Sequence, residues 1–155
     1  MTTCKERLER CLDDAAIPHE FQRHRSAFTA QEVAQSEHIP GRMVAKPVMV
    51  DADGRLTMVV LPATEQADLG KVTAALHAGA VRLASEDEFR RAFDDCETGA
   101  MPVFGNLYGV PVVVDERVAE NEDIVTQAGT HAETVQVSYR DFERLVHPLV
   151  ADVRR

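Results

Sequence analysis

The sequence predicts an α+β domain: a curved, barrel-like sheet, mixed and mostly antiparallel, flanked by helices. Three observations predict it. Short β-branched runs alternate with stretches of helical periodicity, but without the regular rhythm of a doubly wound sheet. Residues 43–50 and 56–61 are apolar runs on either side of Asp51-Ala52-Asp53-Gly54, which is the signature of a β-hairpin. A length of 155 residues suits one domain with a real core, so 1–155 reads as a single domain.

The elements follow in order. Residues 5–16 set Leu8, Cys11, Leu12 and Ala15 on one helical face, and Pro18 ends that helix. Residues 17–24 read as a short strand and 26–28 as a loop. Thr29 caps a second helix with Glu32 at the capping-box position, running to about Glu37, where Ile39-Pro40-Gly41 breaks it. Residues 43–50 then form a buried strand in which Lys46 stands alone among apolar neighbours. After the hairpin, Pro62 stops the second strand. Residues 67–77 form a helix with Leu69, Val72, Ala75 and Leu76 inward and Gly79 as its C-cap. Residues 81–83 are extended, and Ser85 with Glu88 opens a capping box for a helix that buries Phe89 and Phe93. A loop at 99–105 is framed by glycines, and 109–115 is a buried strand. Strands at 123–127 and 134–138 are joined by a turn at 129–133. Ser138 and Asp141 cap the last helix, which carries Phe142, Leu145 and Val146. Pro148 ends that helix, and the Arg154-Arg155 tail reads as frayed.

The formal net charge of −9 argues against broad, nonspecific nucleic-acid binding. It leaves room for a local basic patch, and Arg23, Arg25, Arg42 and Lys46 lie close together in sequence. No apolar run approaches a membrane span, and the first residues do not read as a signal peptide, so no membrane partner is expected. The cysteines, Cys4, Cys11 and Cys96, are odd in number and lack CxxC spacing. Neither a disulfide framework nor a zinc site is expected, and a reducing cytoplasm fits.

The candidate chemistry starts at Lys46. On a strand it shares a side with Val44, Val48 and Val50. An unpaired buried ammonium is costly, so either the sheet opens there onto a cleft or the stem snorkels to water. Partial burial should lower its pKa. There is no Gly-x-Ser-x-Gly elbow, HExxH, P-loop or dinucleotide fingerprint. Cys96 reads as filler before it reads as a nucleophile, and His19, His38, His77 and His147 are given no role. His24 ends a strand beside two arginines, and His131 sits in a turn of small residues. In the 99–105 loop the glycines allow close backbone approach to a ligand, Pro102 stiffens the chain, and N–H groups could face an oxyanion.

Taken together, the lone-lysine strand, the loop Gly99-Ala100-Met101-Pro102-Val103-Phe104-Gly105, the run Gly109-Val110-Pro111-Val112-Val113-Val114-Asp115 and Ala128-Gly129-Thr130-His131 closely resemble the YbaK/EbsC family. That family comprises the prolyl-tRNA synthetase editing domains and their free-standing relatives, and the resemblance runs from about Ile17 to Leu149. It implies hydrolysis of a mischarged aminoacyl-tRNA ester, such as alanyl- or cysteinyl-tRNA for proline, with no cofactor or metal. The partners it implies are the acceptor end of aminoacyl-tRNA and, optionally, an aminoacyl-tRNA synthetase. Lys46 would contact the terminal adenosine phosphate or the ester, the Gly99 loop would hold the carbonyl, and His131 would line the pocket. The expected substrate-contacting set is His24, Thr29, Ala100, Met101, Pro102, Phe104, Gly105 and Thr130. One position departs from the family pattern: proline usually stands two residues before the loop's final glycine, and here that residue is Val103. A looser loop, a changed pocket or lost activity are the expected consequences. A non-catalytic module for tRNA ends or aminoacyl ligands, or a hydrolase of small amino-acid esters, are the alternative readings.

Overall fold

A hairpin buried on both sides frames the molecule, which was analysed as a computed structural model describing residues 2–24 and 29–155. Strands β2 (Ala45–Ala52) and β3 (Arg55–Pro62) pair antiparallel in a register that sets Lys46 opposite Leu61. The turn residue Asp51 accepts the Gly54 N–H at 2.9 Å. Alternation along β3 sends Met58 and Val60 into one apolar cluster and Val59 and Leu61 into another. A strand covered on both faces reads as a continuous apolar run, as this one does.

Around the hairpin lie α1 (Cys4–Asp14), β1 (Glu20–Arg23), α2 (Ala30–Glu37), α3 (Leu69–Leu76), β4 (Val81–Leu83), α4 (Glu86–Ala92) and β5 (Val112–Asp115). The chain continues through α5 (Glu116–Ala119), β6 (Asp123–Gln127), β7 (Glu133–Ser138), α6 (Tyr139–Val146) and β8 (Leu149–Ala151). The larger sheet has the order β4-β2-β3-β5-β8, antiparallel across β4, β2 and β3 and parallel from β3 through β5 to β8. The smaller is the antiparallel set β1-β7-β6. A parallel bridge between Val44 and Val125 links the two. The α+β reading with a mixed, largely antiparallel sheet therefore holds; its strands fall into two bridged sheets, not a closed barrel.

The main core packs Leu8 and Leu12 of α1, Phe93 and Phe142 against Met49 and Met58. Phe104 and Phe142 meet edge to face with ring centres 5.3 Å apart. On the other side of the large sheet, Val72 of α3 packs on Val50, Val59 and Leu61.

Caps set by neighbouring residues form where the sequence places them. Thr29 and Ser138 accept the backbone N–H three residues on, and Ser85 with Glu88 makes a full capping box. Several expectations need correction. The C-cap of α3 is His77, in the left-handed region at φ 52°. Gly79 instead donates its N–H to Asp53 at 2.9 Å. The C-terminus is not frayed: Val153 is buried, and the Arg154 guanidinium pairs with buried Asp115 at 3.2 Å. Elements α5 and β8 were not anticipated. Cys4 and Cys96 are joined in a disulfide across 92 positions of sequence, leaving Cys11 as the free thiol. Odd cysteine number and spacing carry no information about such a long-range pair. Arg25 and the 26–28 loop lie outside the described residues.

Candidate active site

A cleft lies at the start of β2, beside the Val44–Val125 bridge that joins the two sheets. Its volume is about 370 Å³, and it is lined by Thr29, Ala30, Gln31, Val44, Ala45, Lys46, Pro47, Ala63, Gly99 and Gln127. Three expected site residues, Lys46, Gly99 and Thr29, thus share one wall-to-wall space. They come from three separate stretches of chain: the start of β2, the loop after α4 and the N-cap of α2.

Lys46 is half-buried, and its ammonium donates to the Ala63 carbonyl at 3.3 Å. That bond crosses from β2 to the end of its hairpin partner. Desolvation pushes the Lys46 pKa below the ordinary lysine value, and the charge of Glu65 opposes the shift. Lys46 is thus half-buried at a cleft, with its ammonium bound to a backbone carbonyl. Charge in such a place is less screened than in bulk water.

Gly99 has φ +86°, a conformation that L side chains rarely adopt. A Cβ there would come within 3.8 Å of the His131 ring. His131 is not among the residues lining the cleft. Its ring shares a hydrogen bond with the Thr98 carbonyl at 2.9 Å, and its backbone N–H donates to Glu97 at 2.7 Å. It therefore ties its turn to Glu97 and Thr98, next to Gly99. Thr130 accepts the Ala132 N–H within its own turn.

The rest of the glycine-framed loop turns inward. Ala100, Met101, Val103 and Phe104 are buried in the core, and Pro102 and Gly105 are buried too. A Cβ on Gly105 would stand 2.6 Å from the Val110 carbonyl oxygen, so that glycine serves close packing, not approach to a ligand. Of the seven loop residues, Gly99 alone lines the cleft. At the Val103 departure the backbone is tied to β6. Its N–H, a donor that proline lacks, binds the buried Thr126 hydroxyl at 3.1 Å.

His24 also acts from behind. Its ring lies 3.4 Å from the Glu37 carboxylate, with both side chains at most 5% exposed, and Thr134 donates to the same carboxylate at 2.7 Å. This cluster holds the C-terminal end of α2 against β7, and the N-terminal end of α2 forms one wall of the cleft. Of the arginines near Lys46 in sequence, Arg23 is paired with Glu133 and Arg42 is exposed in the turn just before β2.

Sequence reasoning missed Ala30, Gln31, Val44, Ala45, Pro47, Ala63 and Gln127. Gln127 had a usable signal: it is the polar end of an apolar strand, adjacent to an inward-facing Thr126. Among the described residues one group of metal-ligating side chains converges, Cys4, Asp95 and Cys96. Two of the three are the disulfide, which withdraws their thiolates, and none of the three lines the cleft.

A partly desolvated cation and a glycine lining the same small cleft are equipment for handling an acyl ester or a nucleotide end. Comparison with known proteins narrows that class. The chain belongs to the aminoacyl-tRNA editing domain family, whose sequence profile matches residues 24–145. It is 33% identical over 118 residues to proline–tRNA ligase 1 of Streptomyces avermitilis, covering 74% of this chain and 20% of that ligase. It is 29% identical over 150 residues to the proline–tRNA ligase of Acidithiobacillus ferrooxidans, covering 92% of this chain and 25% of the ligase. The chain thus spans a quarter or less of the length of these relatives. A candidate trans-editing enzyme for prolyl tRNA synthetase superposes with a TM-score of 0.86 at 19% identity, over 100% of this chain and 99% of that one. A candidate signal transduction protein from Marinobacter aquaeolei contains the same fold, with a TM-score of 0.74 at 21% identity over 96% of this chain and 30% of its own. The last two likenesses bear on the fold.

Proposed function

We propose that this chain is a trans-editing aminoacyl-tRNA deacylase that hydrolyses the ester of a mischarged tRNA of the alanyl- or cysteinyl-tRNA(Pro) kind. The observation carrying this reading is the half-buried Lys46 ammonium in the cleft that Gly99 lines. Membership of the editing-domain family and the likeness to proline–tRNA ligases support it. The acceptor end of the tRNA is the partner, a synthetase is a second one, and the cytoplasm is where both would be met.

An aminoacyl ester is already activated. Water adds to its carbonyl carbon, the bond to the ribose oxygen breaks, and a proton from that water ends on the ribose hydroxyl. The amino acid and an intact tRNA end are released. The site must therefore stabilise the oxyanion and hold the ester in place; it needs no nucleophilic side chain. Electrostatic preorganisation is the main lever for such a step. Lys46 supplies a cation whose hydration is already partly removed, and the backbone of Gly99 supplies the opposite wall against the carbonyl. His131 and His24 are positioning residues that hold the Gly99 loop and α2.

The test is release of amino acid from purified mischarged tRNA by wild type and Lys46→Ala. A loss of about 10²–10³-fold in kcat is expected if the cation faces the oxyanion. A rise in KM with kcat preserved would move Lys46 to the terminal phosphate. Equal activity of both proteins, or none across a panel of mischarged tRNAs, would end the proposal.

A further inference from the structure

We infer that the Cys4–Cys96 disulfide is a redox switch on the cleft: the bonded form holds Gly99 in place for deacylation, and its reduction by a dithiol slows the reaction. This rests on the deacylase reading above and adds to it a means by which the same site is regulated.

The first ground is the compartment. A protein acting on aminoacyl-tRNA meets its substrate where thiols are kept reduced, and a disulfide found there is usually a redox-sensing or catalytic one. Cys4 and Cys96 are nonetheless joined across 92 positions of sequence. Neither cysteine lines the cleft, so the bond takes no part in the ester chemistry itself.

The second ground is placement. Cys96 is followed by Glu97, Thr98 and Gly99, and Gly99 lines the cleft. The Glu97 N–H donates to the Gly129 carbonyl at 2.8 Å, and the Gly129 N–H donates to the Ala100 carbonyl at 2.9 Å. Gly129 stands two residues after Gln127, another cleft residue. The bond thus backs on to both stretches that bring Gly99 and Gln127 to the cleft. Cys4 has no slack on that side: a Cβ added to Gly129 would lie 2.8 Å from both Cβ and Sγ of Cys4. Cys4 also opens α1, whose Leu8 and Leu12 are locked into the main core. Bonded sulfurs lie about 2.0 Å apart, and two thiols must stand well beyond that, at van der Waals contact. Cys4 is buried and hemmed in, so half-buried Cys96 is the partner that yields. Its movement passes along three residues to Gly99.

The third ground is the chemistry around the sulfurs. The Tyr108 hydroxyl lies 3.2 Å from Cys4 Sγ and 3.3 Å from Cys96 Sγ, with the Asp95 carboxylate 2.8 Å away to share its proton. The Arg7 guanidinium pairs with Asp95 at 3.3 Å and stands over the Tyr108 ring. A cation and a hydroxyl donor close by favour a thiolate. One thiolate of the dithiol attacks Cys96 Sγ. The S–S bond breaks and its electron pair leaves on Cys4 Sγ, toward which the Tyr108 hydroxyl turns. The second thiol of the reductant then displaces Cys96. The dithiol departs as a disulfide, and its two protons end on Cys4 and Cys96. Exchange with an oxidised thiol reagent restores the bond by the reverse steps.

The experiment measures amino-acid release from mischarged tRNA by wild type, oxidised or treated with dithiothreitol, at a temperature where circular dichroism shows both forms folded. Thiol alkylation reports the state: Cys11 alone reacts in the oxidised protein, and Cys4 and Cys96 join it on reduction. On reduction kcat should fall by about 10- to 100-fold, the scale of a small misplacement of catalytic groups. It should return on reoxidation with oxidised glutathione. Cys4→Ser and Cys96→Ser should show the reduced rate with or without dithiothreitol, and Cys11→Ser should switch as wild type does. A kcat that is equal or higher after reduction would overturn the inference while leaving the deacylase reading intact, whatever the folding of the variants. So would a bond that dithiothreitol does not open, a loss that reoxidation does not reverse, or a reduced protein that is unfolded wherever the oxidised one works. Hydrolysis by neither form would count against the deacylase reading itself, and the switch would fall with it.

Discussion

Two strand ends of the same sheet each carry one charged residue among hydrocarbon, and the protein treats them in opposite ways. At the end of β5, Asp115 is fully buried and heavily provided for. It accepts the Val153 N–H at 2.9 Å, the Arg154 N–H at 3.2 Å and the Arg117 N–H at 3.0 Å, and it pairs with the Arg154 guanidinium. Near the start of β2, Lys46 makes one hydrogen bond, to a neutral carbonyl, among the described residues. Its nearby charge, Glu65, only partly offsets the desolvation that lowers its pKa. A charge whose every need is met within the fold is a fastener. A charge held half out of water with few partners is available for a ligand. The pairing inventory, not burial itself, separates the two.

The sharpest way to break this contrast is at the fastener. Asp115→Ala leaves three backbone N–H groups without their acceptor and takes from Arg154 the buried one of its three carboxylate partners, and about 3–5 kcal/mol of stability should go with it. Urea unfolding measures that directly; a loss under 1 kcal/mol would show that the C-terminal segment is held by packing alone.

Next in size is the covalent tie between α1 and the segment that leads into Gly99. The Cys4–Cys96 bond anchors α1 three residues upstream of Gly99. Cys4→Ser, or full reduction, should cost about 2–4 kcal/mol, because the unfolded chain regains the freedom of a long closed loop. Equal melting temperatures with and without a reductant would remove the disulfide from the account of stability.

The smallest effect has the opposite sign. Lys46→Met keeps the stem and removes the charge, so it should leave stability unchanged or raise it by up to about 1 kcal/mol at neutral pH. The linkage gives a second signature. The folded Lys46 pKa is lowered. Between it and the higher unfolded value the unfolded chain binds more protons, so stability rises with pH across that alkaline window. Above the unfolded value the full increment is present; below the folded value it is absent. Lys46→Met should flatten that rise, which paired urea titrations at neutral and alkaline pH can read. A Lys46→Met protein less stable than wild type at neutral pH would mean that the Ala63 bond outweighs desolvation, and the distinction from Asp115 would narrow.

Much of the architecture was legible because it is local. The hairpin follows from two apolar runs and one turn. The Thr29, Ser85 and Ser138 caps follow from a side chain and a backbone N–H three residues apart. Lys46 stood out for the same reason, as one charge in a hydrocarbon run. The expected loop of ligand-facing residues illustrates the opposite case. Gly99 and Gly105 look alike as letters. One has a positive φ beside the cleft, and the other is squeezed against Val110; only neighbours remote in sequence tell them apart. His24 was expected to contact substrate and His131 to line the pocket with Lys46 and Gly99; neither is among the cleft-lining residues, and they hold Glu37 of α2 and the Glu97–Thr98 segment instead.

The sequence by itself determined the α+β class, the hairpin, the caps and the presence of one costly cation, since each depends on residues within a few positions of one another. Tertiary structure decided that β8 and Arg154 close on Asp115, that Cys4 finds Cys96, and that Gln127 shares a cleft with Lys46 and Gly99. Those are meetings of distant segments, and they are set by which faces can be buried together once the sheets have formed.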